Sequence, residues 1–296
     1  MKPETTAYAE SRTPANALPG ALQAVIFDVD GTLADTEPEG HRVAFNRAFD
    51  EFGVDWFWSY EVYGELLKIT GGKERIRAYA ATHAPELYGR IDLDTWIARL
   101  HALKSEIYST MMLSGRIPLR PGIARLIQDL RKAGIRLAIA TTTTPSSLNS
   151  LVMAHFGRDM TTLFDVIGAG DVVPHKKPAP DIYQWVLQQL ELPASACLVV
   201  EDSLPGVAAA TAAGLPTIVT VSAYTRSDRF DDALAVLSDC GEPNAPMRQL
   251  AGVPATASHL TVAQLQAWHQ AAQSARQTQK TPQFLRSPLN NAVFNR

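Results

Sequence analysis

Near the start of the chain, Asp28-Val29-Asp30-Gly31-Thr32 sets two carboxylates two residues apart, just before a glycine. Three further polar groups follow: Thr141, the first of four threonines; Lys177, in Lys177-Pro178-Ala179-Pro180-Asp181; and the acids of Glu201-Asp202-Ser203. Brought together, four carboxylates would crowd one lysine and one hydroxyl. Such a cluster repels itself unless a cation neutralises it. An all-oxygen donor set selects a hard ion such as Mg²⁺, which keeps several waters and partners phosphate. The lysine and the hydroxyl suit phosphoryl oxygens as well. Side chains at i and i+2 of an extended strand share a face, and the turn at Gly31 then parts them. One carboxylate can therefore attack phosphorus while the other serves as an acid, and carboxylate nucleophiles do form aspartyl-phosphates. The chemistry is phosphoryl transfer.

These groups can meet only if the elements before them end at one place. Leu22 to Phe27 is an apolar run that fits a buried parallel strand and stops at Asp28. Helices are predicted over Pro121–Ala133, Pro145–His155, Pro180–Glu191 and Pro205–Ala213, and strands over Ile135–Ala140, Phe164–Ala169, Ala196–Val200 and Thr217–Val221. Pro145, Pro180 and Pro205 each fall near a first helical position, where the missing N–H costs nothing. Strands alternating with helices give an α/β fold, a Rossmann-like parallel sheet with helices on both faces. In such sheets ligands bind beyond the carboxyl ends of the strands. All four polar groups fall there. Residues 36–116 read differently, with helical periodicity and a group of aromatics at Trp56, Trp58, Tyr60 and Tyr63. They form an all-helical insertion after the first strand, with Trp56 and Trp58 assigned to its core.

Composition excludes other classes. Of 296 residues 46% are hydrophobic and 19% charged, which fills a core and argues against disorder. The net charge, 27 − 30 = −3, suits no nucleic-acid partner. Residues 254–296 hold Arg276, Lys280, Arg286 and Arg296 and no acid, so this tail is +4 and the body −7. Cys197 and Cys240 cannot build a disulfide framework or a cysteine-only zinc site, and Cys197 is expected to be a buried hydrophobe. No apolar run reaches the roughly 18 to 20 residues of a membrane span. The first twenty residues carry Glu4 and Glu10 without an apolar core, unlike a signal peptide. A cytoplasmic protein with a flexible start over residues 1–20, monomeric or weakly self-associating, is expected. At the other end, Thr261-Val262-Ala263-Gln264 fits a capping box, with Leu265 and Trp268 as an apolar stripe. A C-terminal helix and a disordered end are expected over 254–296.

In order, Asp28-Val29-Asp30-Gly31-Thr32, Thr141, Lys177-Pro178-Ala179-Pro180-Asp181 and Glu201-Asp202-Ser203 resemble the four motifs of the haloacid dehalogenase superfamily, over roughly residues 22 to 240. The insertion resembles that superfamily's small helical cap. The division implied is a core of residues 21–35 and 117–253 and a cap of 36–116. More narrowly, Glu37, Gly40-His41-Arg42, Ala44-Phe45-Asn46, Tyr63-Gly64-Glu65-Leu66-Leu67-Lys68 and Gly71-Gly72-Lys73-Glu74-Arg75 resemble the CbbY-type sugar-phosphate phosphatases. Members of that subgroup are associated with removing a phosphate from xylulose-1,5-bisphosphate, an inhibitor of the carbon-fixing carboxylase. The resemblance implies Asp28 as nucleophile and Mg²⁺ ligand. It implies Asp30 as general acid and base that touches the metal through its main-chain oxygen. Thr141 and Lys177 would hold the transferring phosphoryl group, and Glu201 and Asp202 would complete the metal site. Glu37, Lys73 and Arg75 would hold the rest of a small sugar phosphate, Gly72 would allow close backbone approach, and Thr142 and Thr143 would also touch substrate. His41 is either a substrate or relay group or a packing residue.

Two rivals share parts of this pattern. In a β-phosphoglucomutase-type enzyme of the same cap class, the aspartyl-phosphate returns its phosphoryl group to a sugar. A small apolar residue is common there in the place of Thr32, so Thr32 favours hydrolysis. A phospho-acceptor receiver domain would lack both the second aspartate and the large cap.

Overall fold

The computed structural model describes residues 20–69, 71–89 and 92–280. The expectations of a flexible start before residue 20 and a disordered end after residue 280 lie outside them.

Seven strands form one sheet: β1 (Ala24–Phe27), β2 (Arg136–Ala140), β3 (Val166–Gly168), β4 (Cys197–Glu201), β5 (Thr217–Thr220), β6 (Ala235–Leu237) and β7 (Gln249–Gly252), in the order β3-β2-β1-β4-β5-β6-β7. Only the β6–β7 pair is antiparallel. All four residues of β1 are fully buried, the mark of a central strand covered on both faces. The sheet is thus mostly parallel and Rossmann-like. β7 escapes sequence reading because it is exposed throughout. β6 ends a five-residue apolar run, Ala233–Leu237, a strand signal that the sequence reading passed over.

Ten helices accompany the sheet among the described residues. α1 (Arg42–Glu51), α2 (Tyr60–Leu66), α3 (Gly72–His83) and α4 (Leu93–Leu113) make a separate helical unit between β1 and β2. α5 (Ile123–Lys132), α6 (Pro145–Phe156), α7 (Met160–Leu163), α8 (Asp181–Leu190), α9 (Leu204–Ala212) and α10 (Val262–Lys280) belong with the sheet. Local chemistry explains several of them. α5 buries Ile123, Leu126, Ile127 and Leu130, one apolar stripe at helical spacing. α6 opens on Thr144, whose hydroxyl accepts from Ser147 N, with Pro145 next, and ends at Gly157 in the left-handed region. For α10 the capping box forms only in half. Thr261 Oγ1 accepts from Gln264 N, but Gln264 Oε1 accepts from Thr256 N and Oγ1 instead of reaching back. The loop before the helix supplies nearer donors. Leu265 and Trp268 are buried as the stripe requires.

The helical unit has its own core. Phe45, Phe49, Trp58, Tyr63, Ile76, Ile97 and Leu100 are buried together, and the half-buried Trp56 packs on them. Asn46 fixes Trp58 by accepting from its N and donating to its O, at 2.8 and 3.0 Å. Two chain crossings join this unit to the sheet, and they are paired to each other. Ala34 bridges Leu119, and Arg120 N donates to Leu33 O at 2.9 Å.

Candidate active site

β1 lies between β2 and β4, so the strand order reverses at β1, and a crevice opens beyond the carboxyl ends of these three strands. Asp28 follows the last residue of β1, Thr141 follows that of β2, and Glu201 closes β4. Lys177 reaches in from the loop after β3. Its Nζ donates to Asp28 Oδ1 at 2.6 Å, Glu201 Oε1 at 2.6 Å and Ala140 O at 2.9 Å. Burial works against the ammonium charge, but Asp28 and Glu201 raise the lysine well above its ordinary range.

Glu201 is fully buried, and both of its oxygens are engaged. Besides Lys177, Oε1 accepts from Tyr183 Oη at 3.0 Å. Oε2 accepts from Asp202 N, Ser203 N and Ser203 Oγ at 2.9, 3.1 and 3.0 Å. Burial opposes its charge, yet Lys177 and these donors hold the carboxyl below its usual range. The structure therefore adds to its expected metal-ligand role that of anchor for Lys177. α9 starts so close that a Cβ at Gly206 would lie 1.8 Å from Glu201 Oε1.

Burial, with charge behind it, pushes Asp28 and Asp202 the other way. Burial pushes Asp28 up to about 8, with Lys177 opposing and Glu201 and Asp30 adding. Burial, then Glu201 and Asp28, raise Asp202 well above the carboxylate range. Asp28, Glu201 and Asp202 offer oxygens within 4.8 Å of one another. Three acids and one ammonium leave an excess of negative charge, and the donors are all oxygen. A hard divalent cation fits that cluster. Gly31, at φ +85°, makes room for it, since a Cβ there would meet Asp202 Oδ2 at 2.2 Å.

Asp30 stands beside this group. Thr143 Oγ1 donates to its Oδ2, and its Oδ1 is buried without a hydrogen-bond partner. The four threonines alternate: Thr141 and Thr143 are buried, whereas Thr142 and Thr144 are exposed. Thr141 Oγ1 accepts from Thr143 N at 3.1 Å. Thr142, expected to touch substrate, is exposed, because the chain bends here as Thr143 N turns back onto Thr141.

The helical unit supplies the opposite wall. Glu37 and His41 lie on a π-helical turn (Glu37–His41) that leads into α1. Glu37 Oε2 accepts from Tyr63 Oη at 2.6 Å, which in turn accepts from Arg75 Nη1 at 3.2 Å. Burial raises the Glu37 carboxyl, with Arg75 opposing. His41 stacks on Tyr108 with ring centroids 4.0 Å apart, and its Nδ1 lies 2.7 Å from Lys104 Nζ. Burial and then Lys104, Arg75 and His101 push His41 well below its ordinary range. A neutral imidazole accepting from the ammonium follows. Burial lowers Lys104 to about 8, with Glu37 opposing. His101, one turn earlier on α4, is pushed to about 4 by burial, Lys104 and Lys73. The close approach at Gly72 is to this histidine: a Cβ there would lie 2.4 Å from His101 Nε2. Lys73 is exposed.

Sequence reasoning missed Lys104, His101, Tyr63 and Tyr183 as site residues. Lys104 had a signal. It falls in the inward series Leu93, Ile97, Leu100, Lys104, Tyr108, Met111 of α4, so a lysine stands where the helical period demands an apolar residue. Cys197, in β4, is buried as expected, and burial raises its thiol to about 12. Among the described residues no helix is long and apolar enough to cross a membrane.

A model of haloacid dehalogenase-like hydrolases matches residues 22–214. A CbbY protein of Cupriavidus necator is 47% identical over 249 residues, covering 84% of this chain and 97% of the relative. One from Rhodobacter capsulatus is 50% identical over 212 residues, 72% of this chain and 91% of the relative. Among solved structures, CbbY of Rhodobacter sphaeroides in complex with phosphate is 46% identical, with a TM-score of 0.64, over 74% of this chain and 94% of that one. A mutant of the same protein was solved in complex with xylulose-1,5-bisphosphate. It is 45% identical with a TM-score of 0.64, over 75% of this chain and 96% of that one.

Proposed function

The chain belongs to the haloacid dehalogenase-like hydrolases and, within them, groups with the CbbY proteins. From that premise we propose that this phosphatase hydrolyses a small sugar bisphosphate, xylulose-1,5-bisphosphate first among them, through an aspartyl-phosphate on Asp28. The observation that carries the substrate class is the crowding of cations in the helical unit. Lys104, Arg75 and Lys73 all act on His101, and all three sit on the helical unit, whereas Lys177 comes from the sheet side. A monophosphate is served by Lys177 alone. A second positive region asks for a second anionic group.

In the proposed reaction Asp28 attacks phosphorus in line, and Lys177, held by Glu201, spreads charge from the equatorial oxygens. Thr141 donates to one of those oxygens. Asp30, positioned by Thr143, protonates the leaving sugar oxygen and then takes a proton from the water that hydrolyses the aspartyl-phosphate, general acid–base work worth about 10²–10⁴-fold. Asp28 and Asp202, with Glu201 behind them and the main-chain oxygen of Asp30, would hold Mg²⁺, which would supply Lewis-acid polarisation of the phosphoryl group. Residues 36–116 act as a cap that closes over the sugar and keeps bulk water out. Glu37 takes hydrogen bonds from the sugar hydroxyls, while Arg75, Lys73, Lys104 and His101 face the distal phosphate. The work is that of a cytoplasmic enzyme with a small-molecule partner.

Asp28→Asn tests the nucleophile. Phosphate release should vanish, while the rise in melting temperature on adding Mg²⁺ stays measurable. Turnover near the wild-type rate would show that Asp28 is not the nucleophile.

A further inference from the structure

Tyr224 lies in the loop after β5 and plays no part in the phosphoryl chemistry above. It is a residue of the sheet side that packs on the helical unit. Its ring meets Tyr63 edge-on at 5.8 Å between centroids and lies 6.4 Å from Tyr60. A Cβ on Gly64 of α2 would come within 3.2 Å of it. The loop is tied back to the acidic cluster as well. Ser222 N donates to Thr225 Oγ1 at 2.9 Å, and Ser222 lies close enough to Asp202 to counter the rise of its carboxyl. Tyr224 thus joins the metal-site end of the sheet to the helix that carries Tyr63.

Its hydroxyl is the informative atom. Tyr224 Oη is buried and has no hydrogen-bond partner, although Glu37, Glu39 and Arg42 are close enough to act on it. A buried hydroxyl without a partner costs free energy, and native proteins keep few of them. Among the unpartnered buried hydroxyls of the described residues, this one lies at the seam between the two units, near the carboxylate proposed to bind sugar hydroxyls.

We propose that Tyr224 is a substrate-positioning residue whose hydroxyl hydrogen-bonds the polyhydroxylated part of the bound phosphate ester beside Glu37. It would then read the sugar from the sheet side while Glu37 reads it from the helical unit. The proposal rests on the sugar-phosphate reading of the site. Small aryl phosphates, which lack hydroxyls, would gain nothing from Tyr224.

The test compares wild type and Tyr224→Phe on a panel of sugar mono- and bisphosphates and on p-nitrophenyl phosphate. Wild type should prefer at least one sugar ester in kcat/KM. In the variant that preference should fall about tenfold, mainly through KM, with p-nitrophenyl phosphate changed less than about twofold. The melting temperature of the free protein should hold or rise, since the hydroxyl makes no bond there. An unchanged preference, or equal losses on both kinds of substrate, would overturn the role of Tyr224 while leaving the sugar-phosphate reading intact. A wild type with no preference for any sugar ester would overturn that reading and the role of Tyr224 with it.

Discussion

Lys104 shows how much one side chain can say about substrate. It is 6% exposed, on a helix whose inward face is otherwise apolar or aromatic, and its Nζ rests on a neutral His41. A buried ammonium is costly unless paired; the charges of Glu37 and Asp30 offset part of that cost, but no carboxylate hydrogen-bonds Lys104 among the described residues. Its natural partner is an anion that arrives. Lys104→Met, which keeps the stem and removes the charge, should raise KM for a sugar bisphosphate about 10- to 100-fold. It should leave kcat/KM for p-nitrophenyl phosphate within about threefold, as steady-state kinetics on both substrates would show. At this scale the sequence was readable where residue type and spacing coincide. Asp28, Asp30, Thr141, Glu201 and Asp202 stand at or just past a strand end, where polar residues interrupt an apolar run, and Lys177 stands in a proline-marked loop before α8. Lys104 and His101 went unread because a lysine and a histidine within a long helix look like surface residues until the helix phase is fixed.

Among the elements, the turns matter more than the strands they follow. Gly31 takes φ +85° and leaves no room for a side chain next to Asp202 Oδ2. Gly31→Ala should therefore destabilise the fold by about 1–3 kcal/mol and weaken the Mg²⁺-induced rise in melting temperature, both read from thermal melts with and without the ion. The parallel strands and their helices were legible because buried strands write continuous apolar runs and prolines mark helix starts. The antiparallel edge was not. β7 is wholly exposed, and its pairing with β6 depends on a chain partner that no local pattern reveals. The π-turn at Glu37 was equally silent, since Glu37-Pro38-Glu39-Gly40-His41 carries no period that separates it from an α-turn.

Across the whole molecule, the acidic character of the body has one focus with a titration signature. The Asp28 carboxyl is raised to about 8 in the folded protein, against 3.8 for the free group, and Asp202 is raised as well. The folded state thus keeps protons that the unfolded chain has lost. Without a cation, this site's contribution to stability is fullest below pH 4 and declines as pH rises from about 4 towards 8. A cation competes with those protons, so the stabilisation by Mg²⁺ should grow over the same interval. Melting curves at pH 5.5 and 8, each with and without MgCl₂, should show the larger shift at pH 8. A shift independent of pH would place the ion elsewhere. The basic tail seen in the charge pattern extends past the described residues. The helix α10 within it docks through Leu265 and Trp268 and through Arg276, which donates to Gly214 O at 2.7 Å.

The most direct test is phosphate release by the wild-type enzyme from xylulose-1,5-bisphosphate and from pentose and hexose monophosphates, side by side in the presence of Mg²⁺. With Lys177 on the sheet side and Lys104, Arg75 and Lys73 on the helical unit, the enzyme should give the highest kcat/KM on the bisphosphate and release one phosphate per molecule. Equal or greater kcat/KM on the monophosphates would contradict the account.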